Sequence, residues 1–166
     1  MLNINFAMQE EKSHNVYLSL GTNLGEKEEN ILQALEYINE RIGEVSSYSA
    51  FYITEPVGFV SENNFVNAVC IVSSHLSPLR LLDVTQQIEK EMGRTAKSEN
   101  KVYTDRIIDI DILLYDDIIF RNERLTLPHP HLHERLFVLD PLAEIAGDYV
   151  HPILHKSIYE LKEELK

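Results

Sequence analysis

Cysteine is almost missing from this chain: Cys70 is the only one. A lone cysteine excludes an internal disulfide and a cysteine-rich zinc site, and it points to a reducing compartment, the cytoplasm. Long apolar runs are missing too, and none approaches the ~20 residues that a membrane span requires, so no membrane partner is expected. The opening stretch MLNINFAMQEEKSH has neither a basic segment nor an apolar one, so no signal peptide is expected. Positive charge is scarce: 15 Lys and Arg stand against 27 Asp and Glu, a net charge of −12. Long-range repulsion from phosphates then argues against a general nucleic-acid binder. One small polyanion remains a feasible ligand, because a few arginines and a metal reverse the field locally.

What is present fits one domain. The 166 residues, 44% of them hydrophobic, bury a core without staples. Residues 1–14 are read as an N-terminal extension and 15–166 as a single domain, a monomer or weak dimer. Ile31, Leu32, Leu35, Ile38 and Ile42 mark one helical face, with Gly43 after them as a C-cap. Leu81, Leu82, Thr85, Ile88 and Met92 repeat that spacing, and Gly93 follows. Asn23 with Glu26, and Ser77 with Pro78, read as the helix starts. Strand-like runs precede each helix, Val16–Leu20 and Phe65–Val72. Others follow each helix, Val45–Thr54 and Ile107–Tyr115. The order β-α-β-β-α-β predicts an α+β, ferredoxin-like sheet with two packed helices. A hairpin around Arg121–Arg124 and a helix over Ser157–Lys166 complete the expectation.

The run RIIDIDILLY, Arg106–Tyr115, carries the chemistry. Side chains alternate along a strand, so Ile108, Ile110, Ile112 and Leu114 share the core face, while Asp109 and Asp111 share the other. Two carboxylates facing the same way, roughly 7 Å apart at Cα, repel each other among apolar neighbours. A hard dication relieves that repulsion, and Mg²⁺ characteristically takes one or two carboxylates plus substrate phosphates. The competing reading is a pair of solvent-facing aspartates. Arg94, Arg106, Arg124 and Arg135 flank the run as candidate phosphate forks, although any one alone is better read as a surface pair with surplus acid. His131 and His133 in the PHPHLH stretch read as exposed histidines rather than zinc ligands. His129 is a candidate phosphate donor. Gly21–Gly25 joins a strand to a helix but lacks the lysine and spacing of a P-loop, so it reads as a turn.

Taken together, YLSLGTNLG, FYITEPVG, NNFVNAV, TQQIEKEMGR, DRIIDIDILLY and LTLPHPHLHERLFVLDPLAEIA resemble the 6-hydroxymethyl-7,8-dihydropterin pyrophosphokinase family of folate biosynthesis. The resemblance runs from about Val16 to about Val150. It implies attack of the pterin hydroxymethyl oxygen on the β-phosphorus of ATP, with AMP as leaving group. It implies two Mg²⁺ ions on Asp109 and Asp111, with Arg94 and Arg106 completing the catalytic group. ATP would meet Arg94, Arg106, His129 and Arg135 through its phosphates, and Gln86, Ile112, Arg124 and Thr126 on its nucleotide side. Thr54, Pro56, Val57, Phe65, Asn67 and Phe137 would form the pterin pocket, with Phe65 and Phe137 sandwiching the ring. Glu89 matches a motif position with no role attached. Ala96 stands where relatives commonly carry an arginine. The stretch from Thr95 to Asp105 is read as a lid, with Lys97 or Lys101 supplying the charge and Tyr103 packing over the pterin. The rival readings are a nucleotidyltransferase, which would release pyrophosphate, and a non-catalytic ferredoxin-like binding module.

Overall fold

The computed structural model describes residues 12–54, 64–93 and 107–166. The chain opens with β1 (His14–Thr22), followed by α1 (Lys27–Arg41), β2 (Gly43–Tyr48) and β3 (Tyr52–Thr54). The second half brings β4 (Phe65–Ser74), α2 (Pro78–Gly93) and β5 (Asp109–Tyr115). A two-stranded hairpin, β6 (Phe120–Arg121) with β7 (Thr126–Leu127), precedes a 3-10 turn, α3 (Leu136–Ala146) and α4 (Ile158–Leu165). The sheet order is β2-β4-β1-β5, with β3 pairing β4 beside β2. Every pairing in it is antiparallel. This is the expected ferredoxin-like topology, the β2–β3 pair acting as one interrupted strand.

Alternation divides the side chains between two cores. On one face Val16, Leu18, Leu20, Val66, Ala68, Cys70, Ile110 and Ile112 meet Ile31, Ile38, Leu81 and Ile88 of α1 and α2. Full burial of each Val, Leu or Ile among them contributes about 1.5–3 kcal/mol relative to exposure. On the other face Val69, Leu113 and Leu114 meet Leu139 and Leu142 of α3 and Ile158 and Leu161 of α4. The second cover is short, so the half of that face nearest the start of β5 is left to carry polar side chains.

Four details differ from the sequence reading. A register shift opposite Tyr17 and Leu18 inserts an extra residue into β5, so Leu114 joins the second core rather than the face of Ile112. Asn23 is fully buried and α1 starts later, at Lys27, with Glu26 at its N-cap. The Asn30 amide organises that entry instead, donating to the Leu24 carbonyl at 2.8 Å and Thr22 Oγ1 at 3.3 Å. Gly43 is no helix cap. It opens β2, where a Cβ would lie 2.0 Å from the Ser73 carbonyl oxygen. Finally, Val45–Thr54 is broken at Ser49, whose Oγ accepts the Val69 amide at 3.0 Å and donates to the Ala50 carbonyl at 2.7 Å. β1 begins at His14, and Lys12 and Ser13 already contact His75 and Ser73 at the end of β4.

Candidate active site

The sheet register gathers the site. Asp111 pairs with Ser19 and Asp109 with Gly21 across β5 and β1. Gly21 in turn pairs with Asn67 on β4, and Asn67 with Tyr52 on β3. One row across four strands therefore runs Asp109, Gly21, Asn67, Tyr52, and directly paired residues point to the same face. Phe65 and Thr54 form the adjoining pair on that face. Asn67 is buried, and its Nδ2 donates to Thr54 Oγ1 at 2.8 Å. That bond fixes the amide, presenting its carbonyl oxygen toward Gly21, where a Cβ would come within 2.9 Å of it. A glycine at 21 thus keeps the floor open between the aspartates and the asparagine.

Asp109 is half-buried and Asp111 exposed. Among the described residues no group of three or more acidic, histidine or cysteine side chains gathers to hold a metal. Two hard carboxylates suit Mg²⁺, whose remaining positions are characteristically taken by phosphate oxygens and waters.

The expected nucleotide side lies along β5. Arg124, on the β6–β7 turn, donates from Nη2 to Asp83 Oδ1 of α2 at 2.7 Å. Gln86 is exposed on that helix, and Thr126 lies in β7. The Ile112 side chain is buried in the helix-side core, so a ligand at this edge would meet its main chain only. Glu89, one turn beyond Gln86, accepts the Ile110 amide at 2.7 Å through Oε2.

The segment after β7 is tied to β5 where the His129 amide donates to the Leu113 carbonyl at 2.9 Å. It begins with a cis Leu127–Pro128 peptide. His129 Nδ1 accepts the His131 amide at 3.1 Å. Burial first, then Arg135 and His131, lower the His129 pKa to about 4. Its ring is therefore neutral near pH 7, and with Nδ1 accepting, the proton sits on Nε2 as a donor. His131 is exposed and pairs with Glu134 at 2.8 Å, while His133 is half-buried. Arg135 precedes α3, and its guanidinium carbon lies 5.6 Å from the Phe137 ring centroid. Phe137 packs against the second core, on the same sheet face as the site.

Pro56, Val57, Arg94 and Arg106 lie outside the described residues, as do Lys97, Lys101 and Tyr103 of the expected lid. Glu144 of α3 escaped sequence reasoning: it accepts the Ala50 amide at 3.1 and 3.2 Å and the Tyr52 hydroxyl at 2.7 Å. One glutamate in an acidic chain gives no sign that it spans to a strand 92 residues away.

Two carboxylates on one face of β5, on a ferredoxin-like sheet, with a neutral histidine on the segment tied to the same strand, suit an enzyme of the phosphate-transferring class. The chain belongs to the 7,8-dihydro-6-hydroxymethylpterin-pyrophosphokinase (HPPK) family, which matches residues 17–147. It is 47% identical over 138 residues to the 2-amino-4-hydroxy-6-hydroxymethyldihydropteridine pyrophosphokinase of Porphyromonas gingivalis, covering 82% of this chain and 93% of that one. The Aquifex aeolicus protein of the same name is 40% identical, over 90% of this chain and 91% of its own. In structure the chain is similar to wild-type HPPK-DHPS of Plasmodium falciparum, with a TM-score of 0.75 at 18% identity. That match covers 94% of this chain but only 45% of the longer one, and it supports the fold.

Proposed function

We propose that this protein transfers a pyrophosphoryl group from ATP to the hydroxymethyl group of 6-hydroxymethyl-7,8-dihydropterin in folate biosynthesis. The observation that carries the reading is the row from Asp109 through Gly21 to Asn67, on a chain of this family. The hydroxymethyl oxygen forms a bond to the β-phosphorus, the bond from that phosphorus to the α,β-bridging oxygen breaks, and AMP departs. The hydroxyl proton passes to a base, for which Asp111 is the candidate.

Asp109 and Asp111 would hold two Mg²⁺ ions, which when bound neutralise the triphosphate and orient it for in-line displacement. Nε2–H of His129, together with Arg135, donates to phosphate oxygens, as do Arg94 and Arg106 in this reading. Gln86, Arg124, Thr126 and the Ile112 main chain receive the nucleotide. Asn67 and Thr54 read the polar edge of the pterin, with Pro56 and Val57 beside them and Phe65 and Phe137 on its faces. Little covalent help is needed, because such transfers depend on positioning and charge neutralisation. The protein acts in the cytoplasm as a monomer or weak dimer, where ATP is made and thiols such as Cys70 stay reduced.

Incubation with ATP, Mg²⁺ and the hydroxymethyl dihydropterin yields AMP and the pterin diphosphate in equal amounts. Release of inorganic pyrophosphate would mark a nucleotidyltransferase instead, and no turnover would mark a binding module.

A further inference from the structure

We infer that Glu89 is a positioning residue for the two site aspartates: its carboxylate holds the first of the two amides that lie between them. The inference rests on the metal reading of Asp109 and Asp111 given above. β5 pairs with β1 on one side, and among the described residues no strand pairs with its other side. The Ile110 amide is bound by Glu89 Oε2 at 2.7 Å. That amide belongs to the peptide plane leaving Asp109, and the next Cα–C bond leads to Asp111. Holding this plane fixes the backbone that leaves Asp109 and restrains, one residue on, the direction in which Asp111 leaves the strand.

The anchor is firm on its own side. Glu89 follows Ile88, which is fully buried against the sheet, and Thr85 and Met92 bury the same helix face. A charged acceptor strengthens an N–H bond roughly twofold over a neutral one. The gain is geometric, because a displacement of about 1 Å among reacting groups costs on the order of a hundredfold in rate.

The test compares Glu89→Ala with Glu89→Gln, which keeps an acceptor oxygen without the charge. Three quantities are read: hydrogen exchange of the Ile110 amide in ligand-free protein, Mn²⁺ affinity with a non-hydrolysable ATP analogue, and kcat. In Glu89→Ala the Ile110 amide exchanges at least about tenfold faster, and Mn²⁺ affinity and kcat fall by about tenfold or more. Glu89→Gln restores most of each. Unchanged Ile110 exchange, or unchanged Mn²⁺ affinity, in a folded Glu89→Ala would overturn the proposal. So would a Glu89→Gln variant that protects Ile110 yet binds Mn²⁺ as poorly as Glu89→Ala, since charge and not position would then matter. Asp109→Asn is the control. If it leaves Mn²⁺ affinity intact, the metal assignment itself has failed and takes this proposal with it.

Discussion

Single side chains decide the chemistry. Asp109 and Asp111 would carry the transferred group's counter-charge, so replacing either by Ala lowers turnover by at least about a hundredfold, ~2.7 kcal/mol of barrier. Steady-state rates at saturating Mg²⁺ check this, and near-normal turnover would remove them from the site. His129 yields a pH statement. Its folded pKa, about 4, lies below the ordinary histidine value of about 6.5. The unfolded chain then binds more protons between those values, so stability rises with pH across the window. Stability is lost as pH falls from 6.5 toward 4, and replacing His129 with Gln flattens that part of the curve in urea titrations. Nitrogen-15 shifts at pH 7 should show the Nε2-protonated tautomer. A titration midpoint near 6.5 would refute the buried, neutral ring.

Elements bring those side chains together, and here the sequence was legible in part. Helical spacing from Ile31 and from Leu81 located α1 and α2, and the alternation in IIDIDILL put both aspartates on one face. The extra residue in β5 was hidden, because a run of leucines satisfies either face and hydropathy does not distinguish Leu113 from Leu114. Gly43 looked like a helix cap because a glycine after an apolar face usually is one; the close approach of Ser73 is visible only in three dimensions. α3 was obscured by Pro141 in its interior. That helix has its own contact with the site: Glu144 clasps Ala50 and Tyr52, and Thr54 lies two residues on. Glu144→Ala is therefore expected to weaken pterin binding about tenfold, ~1.4 kcal/mol, with little effect on an ATP analogue. Calorimetry with each ligand decides it, and equal losses for both would make the clasp a general stabiliser.

At the scale of the whole molecule, a net charge of −12 must be folded against its own repulsion. Raising sodium chloride from about 10 mM to about 300 mM shortens the screening length from ~30 Å to under ~10 Å. The midpoint of thermal unfolding should rise by about 2–5 °C on that change, roughly 1 kcal/mol. A flat response in scanning calorimetry would mean that local ion pairs such as Arg41–Glu91 already balance the charge. The sheet, meanwhile, has two rims of unlike character. Along β5, Glu89 occupies the Ile110 amide and the His129 amide occupies the Leu113 carbonyl. A second copy adding a strand there would have to displace both. On the β2–β3 rim Asn39 and Glu144 occupy the Val45 and Ala50 amides, but the apolar side chains of Tyr48 and Ile53 stand open to solvent. Strand-templated aggregation of this enzyme therefore nucleates at the β2–β3 rim, and the rim that bears the aspartates is the last to be recruited into a growing assembly.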